Sequence, residues 1–248
     1  MDCFVSANTW THIDLASEGA PWRGDGWRMV EAQHKIATMG IVGGDVRAQT
    51  VLEDILESSK PPLPPETRGL HWLLATPFRY PPPPGGSRFR GRGDPGVFYG
   101  AEDRETACAE AGYWRLRFWL DSDALRNRAK SIPVTLFQFR AAAAKLVDLT
   151  LAPFRAYHTT WTDPDDYAGT RALAEKARQA GVEAIRYASV RHPPGMCLAL
   201  LTPDVFRRPA RPFRDVQQTW TLHIEPPGHI VFRRDLSDEV FQFAFGPG

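Results

Sequence analysis

Six side chains in two stretches of the sequence have types and spacings that suggest chemistry: Arg79, Arg88, Tyr99, Glu110, Ser189 and Arg191. Arginine makes paired hydrogen bonds to phosphate oxygens and keeps its charge, and a tyrosine ring stacks on a flat heterocycle. A glutamate bonds a ribose hydroxyl or stabilises an oxocarbenium-like centre, and a serine donates to a phosphate or an amide. Together these groups describe a pocket that breaks a glycosidic bond in a phosphate-bearing substrate.

The same residues also have ordinary structural interpretations, and the residue types alone leave both open. Arg88, Arg90 and Arg92 then belong to a solvated basic loop. Tyr99 is a core residue with its hydroxyl at the rim, and Glu110 pairs with a nearby base such as Arg115.

Composition and charge narrow the class of protein. The 248 residues make one large domain, or one domain with extensions. A net charge of +1 argues against direct binding of nucleic acid or of an anionic membrane. Three cysteines without a CxxC pair, and histidines without ligand spacing, predict no metal site. The lack of a signal peptide and of a long apolar run favours a cytoplasmic protein.

The N-terminal half of the sequence predicts few regular elements. The first 30 residues are expected to be irregular, with Trp10, Trp22 and Trp27 as packing anchors. A helical pattern runs from about Met29 to Ser58 and breaks at Gly43–Gly44. The proline-rich KPPLPPE marks a boundary. HWLLATPFRY is predicted to be a buried strand and GVFYGA a short one. A helix follows over DRETACAEAGYWRLRFWLD, with Asp103 as its N-cap.

The C-terminal half is richer in strands. PVTLFQFRA and KLVDLT are predicted as two strands, and TRALAEKARQA as a helix that ends at Gly181. AIRYASV and MCLALLTP follow as strands, and TWTLHIEPPGHIVFRR as a β-hairpin. This irregular order predicts an α+β fold on a twisted, mixed or largely antiparallel sheet with flanking helices.

Two blocks of the sequence resemble the RES-domain family. In GGSRFRGRGDPGVFYGAEDRETACAE, Arg88 precedes Tyr99 by eleven residues, and Tyr99 precedes Glu110 by eleven. That order is similar to the family's arginine, strand tyrosine and helix glutamate. GVEAIRYASVRHPPGMCLALL resembles the family's later block, and TPFRY resembles its first strand, whose arginine points at the ligand. The resemblance covers roughly residues 68–206.

The resemblance implies a fold related to ADP-ribosyltransferases, with NAD as substrate and no metal. Many members are toxins of two-gene modules, neutralised by an Xre-type helix-turn-helix antitoxin. Family members degrade NAD, some by phosphorolysis with inorganic phosphate as co-substrate, or ADP-ribosylate a protein. The leading hypothesis is a toxin-type enzyme that cleaves the nicotinamide–ribose bond. The alternatives are a mono-ADP-ribosyltransferase and, from another class, a non-catalytic module that binds NAD or a partner.

The resemblance also assigns roles to the six side chains. The resemblance implies that the arginines bind the phosphates of NAD and that the tyrosine stacks near the nicotinamide. It implies that the glutamate acts at the ribose attached to the nicotinamide. The predicted catalytic residues are Arg88, Tyr99 and Glu110, and the predicted NAD-binding residues are Arg79, Arg88, Ser189 and Arg191. This sequence is one residue longer than the family pattern after its arginine, which leaves Arg88 and Arg90 as competitors. The double glycine just before Arg88 favours Arg88.

The resemblance suggests a division of the chain into three parts. Residues 1–66 form an N-terminal helical extension, residues 67–206 the RES core and residues 207–248 a C-terminal β-hairpin extension. The extensions have three open uses: to cover the pocket, to form a homo-oligomer interface or to receive the antitoxin.

Overall fold

The computed structural model describes residues 12–32, 41–209 and 211–246, and its main feature is one mixed β-sheet. Every described strand pair is antiparallel except that of β3 with β4. The strands are β1 (Ala20–Glu31), β2 (Phe98–Ala101), β3 (Lys130–Asp148), β4 (Ala184–Ala188), β5 (Met196–Leu200), β6 (Phe206–Arg207), β7 (Gln217–Glu225), β8 (His229–Arg234) and β9 (Val240–Ala244). The predicted α+β class and mixed sheet are confirmed.

Five of these strands close into a ring. β2 pairs with β5, β5 with β4, and β4 with the end of β3, while β1 pairs with both β2 and β3. The ring is possible because β3 is long enough for one edge to pair with β1 and the other with β7, β6 and β4 in turn. The two strands predicted over this region are therefore one continuous strand, which passes through the alanines at 141–144.

Helices flank the sheet. They are α1 (His12–Glu18), α2 (Val46–Ser58), α3 (Trp72–Arg79), α4 (Arg104–Leu120), α5 (His158–Trp161) and α6 (Ala168–Gln179). Asp103 caps α4 as predicted, because its side chain accepts the Thr106 N–H at 2.7 Å. Gly181 follows α6 with φ +69°, the left-handed conformation that ends helices. No helix in the described ranges is both long and apolar enough to cross a bilayer.

The prediction of a strand over HWLLATPFRY is wrong, because this segment is helix α3. His71 caps it by accepting the Leu73 N–H, and Leu73, Leu74 and Phe78 lie buried. A short continuous apolar run fits a buried strand or a buried helix equally well in sequence. Here one face of the ring of strands carries the apolar side chains of Phe98 and Phe139. Helix α3 packs its own apolar side chains against this face.

The prediction for the N-terminal region is wrong where it is described. Residues 20–31 form β1, so Met29 begins no helix and the stretch before it is not irregular. The helical prediction is confirmed for Val46–Ser58, whereas residues 33–40 and Trp10 lie outside the described part. β1 has little apolar alternation of its own, and its strand conformation depends on pairing with residues more than a hundred positions away in β3.

Alternation along β2 separates two clusters of buried side chains. Phe98 belongs to a cluster with α3, while Ala101 belongs to the larger cluster that also contains residues of α4, α6 and β7, and Tyr99 packs against it. Neighbouring residues of a strand face opposite sides of the sheet, so Phe98 and Tyr99 divide between the two. Tyr99 is thereby directed to the face that α4 covers.

Gly96 supplies a test of this packing, because α3 touches its backbone. A Cβ at Gly96 would lie 2.3 Å from Phe78 Cα and 2.9 Å from the Pro77 carbonyl oxygen. We expect Gly96→Ala to lower the free energy of unfolding by about 1–3 kcal/mol, the usual effect of overpacking. Gly85→Ala is the matched control, since nothing lies within 4 Å of a Cβ there. Urea unfolding of both variants checks this, and equal midpoints would contradict the packing of α3.

Candidate active site

A cavity of about 490 Å³ opens between β1, β2, α4 and the loop that follows α3. This volume lies in the range of small-molecule and cofactor sites. Its polar lining includes Arg28, Ser87, Arg88, Arg90, Tyr99, Glu110 and Arg191, and its aromatic lining is Trp27, Tyr80, Trp114, Tyr167, Tyr187 and Tyr99. Three predicted catalytic residues, Arg88, Tyr99 and Glu110, thus line one hollow. The structure brings them together as the sequence predicted.

The loop at 80–97, here called the arginine loop, contains no helix or named strand. Its backbone carbonyls are satisfied largely by guanidinium groups. Arg171 donates to the carbonyls of Gly85 and Ser87, Arg178 donates to that of Phe89 at 2.9 Å, and Arg90 donates to those of Tyr80 and Asp94. Because buried carbonyls need partners, these side chains hold an irregular segment in one conformation.

Tyr99 fixes the centre of the arginine loop through its hydroxyl. The hydroxyl shares a 2.8 Å hydrogen bond with Ser87 Oγ and accepts the Phe89 N–H at 3.0 Å, on either side of Arg88. Burial raises the pKa of the Tyr99 phenol, so the hydroxyl stays neutral. Tyr99 therefore offers its ring to the cavity while its hydroxyl positions Arg88.

Arg88 is better placed than Arg90 for binding a ligand. Arg90 uses Nε and Nη1 on the carbonyls of Asp94 and Tyr80. Arg88 uses only Nη1, which donates to the Trp161 carbonyl at 2.8 Å, and its guanidinium lies 4.6 Å over the Tyr167 ring. Among the described residues, Arg88 Nε and Nη2 have no hydrogen-bond partner, which leaves one edge of the fork for an anion.

Glu110 is anchored by one of its two carboxylate oxygens. Oε1 accepts the Ser189 hydroxyl at 2.6 Å, the Val190 N–H at 3.2 Å and the Arg191 N–H at 3.4 Å. Oε2 receives no hydrogen bond from the described residues. The side chain also lines the cavity, so the anchor fixes the carboxylate while leaving an oxygen for chemistry.

Ser189 and Arg191 act in the structure mainly on other residues. Ser189 is 3% exposed, is not part of the cavity lining and donates its one hydroxyl proton to Glu110. Arg191 lines the cavity, but its guanidinium lies 3.5 Å over the Tyr113 ring and donates to the Pro164 carbonyl at 2.9 Å. Ser189 thus orients the carboxylate instead of facing a ligand.

The structure does not bring Arg79 to the cavity. Its Nη1 donates to Glu57 Oε1 at 2.7 Å, and its Nε donates to the Pro61 carbonyl. The reason is the change of element: Arg79 ends helix α3, whereas the prediction placed it on a strand. Its side chain ties α3 to α2 and the proline-rich segment.

A sequence model of the RES domain matches residues 63–225. The chain belongs to the RES domain family. No curated protein matches the sequence. Among solved structures, a chain of the M. tuberculosis MbcT–MbcA toxin–antitoxin complex is similar, with 11% identity, 90% of this chain and 95% of that chain covered, and a TM-score of 0.44. The family assignment follows from the sequence match.

Arg28 is the cavity residue that sequence reasoning missed. It lies on β1, before the residues matched to the RES domain. Its Nη1 donates to the Tyr99 carbonyl, and its guanidinium lies 4.8 Å over the Phe98 ring. Its Nε is enclosed and has no hydrogen-bond partner among the described residues. Burial lowers the pKa of the Arg28 guanidinium to about 10, because desolvation disfavours the charged form.

The signal that would have found Arg28 is weak. The residue stands between Met29 and Trp27, and a charged side chain among large apolar ones marks a position where a strand turns a polar group inward. The pattern around it does not alternate clearly, so the strand itself was not predicted.

Replacement of Arg28 by methionine tests whether this charge is held for a ligand. We expect Arg28→Met to raise the free energy of unfolding by about 0.5–2 kcal/mol, because an enclosed charge with no acidic partner among the described residues is replaced by an apolar chain of similar length.

Arg140→Met is the control for Arg28→Met. Arg140 pairs with Asp25 through bonds of 2.6 and 2.8 Å, so its loss should lower stability by about 0.5–1 kcal/mol. Thermal and urea unfolding of both variants give the comparison. Equal destabilisation of the two would mean that Arg28 is a structural residue.

Tyr99→Phe separates the ring of Tyr99 from its hydroxyl. The variant leaves Ser87 Oγ and the Phe89 N–H without their partner, so we expect a loss of about 1–3 kcal/mol in the free energy of unfolding. Tyr80→Phe serves as control, because no described residue bonds the Tyr80 hydroxyl. Denaturant midpoints that agree between the two variants would show that the Tyr99 hydroxyl does not hold the arginine loop.

Proposed function

We propose that this protein is a toxin-type enzyme that cleaves the bond between nicotinamide and ribose in NAD. The observation that carries the proposal is that one cavity combines guanidinium groups, aromatic faces and a carboxylate anchored by a single oxygen. Membership of the RES domain family supports it, since the family resemblance implies NAD as substrate.

Binding comes first in the proposed reaction. Arg88 has a free edge for the pyrophosphate, and the Arg28 side chain lines the same cavity. Arg28 thus takes the second arginine role that the family resemblance assigned to Arg79. Contacts with the phosphates lie away from the bond that breaks, and their binding energy orients the reacting carbon.

The chemical step needs stabilisation of positive charge. As the bond between the ribose C1′ and the nicotinamide nitrogen breaks, its electron pair stays with the nicotinamide, whose ring becomes neutral. The ribose gains oxocarbenium character, which the fixed carboxylate of Glu110 stabilises, directly or through a ribose hydroxyl. An oxygen of phosphate, water or a protein side chain then bonds C1′, and water or a side-chain hydroxyl gives up its proton to solvent as the bond forms. The aromatic lining excludes water and supports the departing ring.

Glu110→Gln tests this role directly. The substitution preserves the shape and removes the charge, so we expect nicotinamide release to fall at least about 100-fold. Glu175→Gln is the matched control, an exposed carboxylate on α6 outside the cavity lining. Release of nicotinamide from NAD is followed by chromatography, with and without inorganic phosphate. Wild-type protein that releases none under either condition would refute the proposal.

The product identifies the acceptor in the same assay. Labelled NAD that yields ADP-ribose phosphate indicates phosphorolysis, free ADP-ribose indicates hydrolysis, and a labelled protein band indicates the alternative mono-ADP-ribosyltransferase. NAD binding measured by calorimetry without any of these products would instead indicate a non-catalytic module.

The proposed role as a toxin includes an antitoxin partner. The family resemblance implies a small Xre-type protein with a helix-turn-helix, and DNA contact would then belong to that partner. Induced expression of the wild-type chain should lower cellular NAD and stop growth, whereas the Glu110→Gln variant should do neither. Co-expression of a helix-turn-helix protein encoded beside the gene should restore growth.

A further inference from the structure

Helix α4 touches the loop between β4 and β5 at two places, four residues apart on one helical face. Glu110 makes the second contact, with the beginning of this loop, residues 189–195. Thr106 makes the first, with the middle of the loop: the Thr106 hydroxyl lies 3.0 Å from His192 Nδ1. Nothing in the proposed chemistry uses Thr106 or His192, so this first contact needs an explanation of its own.

The hydrogen bonds around Thr106 fix the direction of its contact with His192. The hydroxyl donates its proton to Asp103 Oδ2 at 2.7 Å, while Asp103 Oδ1 caps the helix. Because a hydroxyl has one proton, its oxygen accepts from His192. His192 therefore carries a proton on Nδ1 and donates it to Thr106. Thr106 itself is fully buried, which makes an unmade bond there unfavourable.

The same loop delivers the donors that hold Glu110. The His192 N–H donates to Ser189 Oγ at 3.0 Å, and the Gly195 N–H donates to the His192 carbonyl at 2.7 Å. Ser189 Oγ thereby accepts from the loop while its proton goes to Glu110. Gly195 lies so close to Thr106 that a Cβ would be 2.0 Å from the hydroxyl oxygen. The loop is thus closed on itself and pressed against the first turn of α4.

The C-terminal strand β9 covers this contact. The Phe243 ring meets the His192 ring edge-on at 5.8 Å, and Glu239, just before β9, pairs with Arg104 at 2.7 Å. Both residues lie beyond the range that the RES domain model matches. The C-terminal segment therefore packs against His192 and the first turn of α4.

We propose that His192 is a positioning residue for Glu110. Through Thr106 it pins the loop at 189–195 to α4, and the pinned loop presents the Ser189 hydroxyl and two backbone N–H groups to the Glu110 carboxylate. The inference deepens the proposed function and rests on it for its kinetic consequence. Its structural content, that His192 holds the donors of the Glu110 anchor, is independent of any activity.

His192→Leu and His192→Asn form the first test. Leucine cannot donate, whereas the asparagine amide places a donor near the position of Nδ1. We expect His192→Leu to lower kcat for nicotinamide release by about ten- to a hundredfold, because small displacements of a reacting group have effects of this size. KM should change less than about threefold, since the arginines and aromatic rings of the cavity stay in place. His192→Asn should recover most of kcat.

Three further variants distinguish a loss of positioning from a general loss of stability. Thr106→Val removes the acceptor and should lower kcat as His192→Leu does, while Thr106→Ser retains the hydroxyl and should not. His223→Leu is the matched control: His223 Nδ1 makes a comparable 2.9 Å bond to Ser131 Oγ on the far strands of the sheet. If kcat and KM are unchanged in His192→Leu, or if His223→Leu has the same effect, the positioning role is refuted.

Amide hydrogen exchange tests the inference without activity. In the wild type, the N–H groups of Val190, Arg191 and His192 should exchange slowly. In His192→Leu their exchange should be at least about tenfold faster, while the amides of β8 keep their rates. Unchanged protection would overturn the inference even for an active enzyme. Wild-type protein that releases no nicotinamide would refute the proposed function, and the exchange rates would still decide the role of His192.

Discussion

The candidate active site depends on the joint between α4 and the loop at 189–195. A carboxylate that accepts three hydrogen bonds on one oxygen is fixed in direction, and these bonds come from a side chain and a backbone far away in sequence. The joint requires the capped first turn of α4, the glycine at 195 and the antiparallel pairing of β4 with β5. Every role proposed for Glu110 assumes this fixed orientation.

The second constraint is that an irregular loop must be rigid. Arginine side chains from α6 and from the loop itself hold the loop in place of a neighbouring strand, because they donate to its backbone carbonyls. Most of the arginines in this region are therefore structural. Arg88 differs from them in keeping two nitrogens unpaired in the described part of the chain, which is why the proposed function gives it the ligand-binding role.

Local signals in the sequence predicted a good part of this arrangement. Asp103, Gly181 and the C-terminal hairpin follow rules that act within a few residues, and their elements were found where expected. The family resemblance also assigned Arg88, Tyr99 and Glu110 to one site, and the three side chains line one cavity. The predictions failed where contacts with distant residues decide the local structure. The segment at 72–79 was predicted as a strand, but it is helix α3, which packs over the ring of strands. Arg79 therefore bonds Glu57 instead of reaching the cavity. Arg28 was missed because β1 exists through its pairing with β3.

Arg28 connects stability to function in a way that the sequence alone does not reveal. A guanidinium enclosed next to Phe98, with an Nε that no described residue bonds, is an unfavourable arrangement for the free protein. The Arg28 side chain is held in this position because β1 pairs with β3 along most of its length. This pairing fixes the conformation of β1 despite the unfavourable burial of Arg28. Under the proposed function, a phosphate of the substrate would supply a countercharge to Arg28, and binding would then offset part of the unfavourable burial. The closed ring of strands holds β1, and with it Arg28, at the cavity.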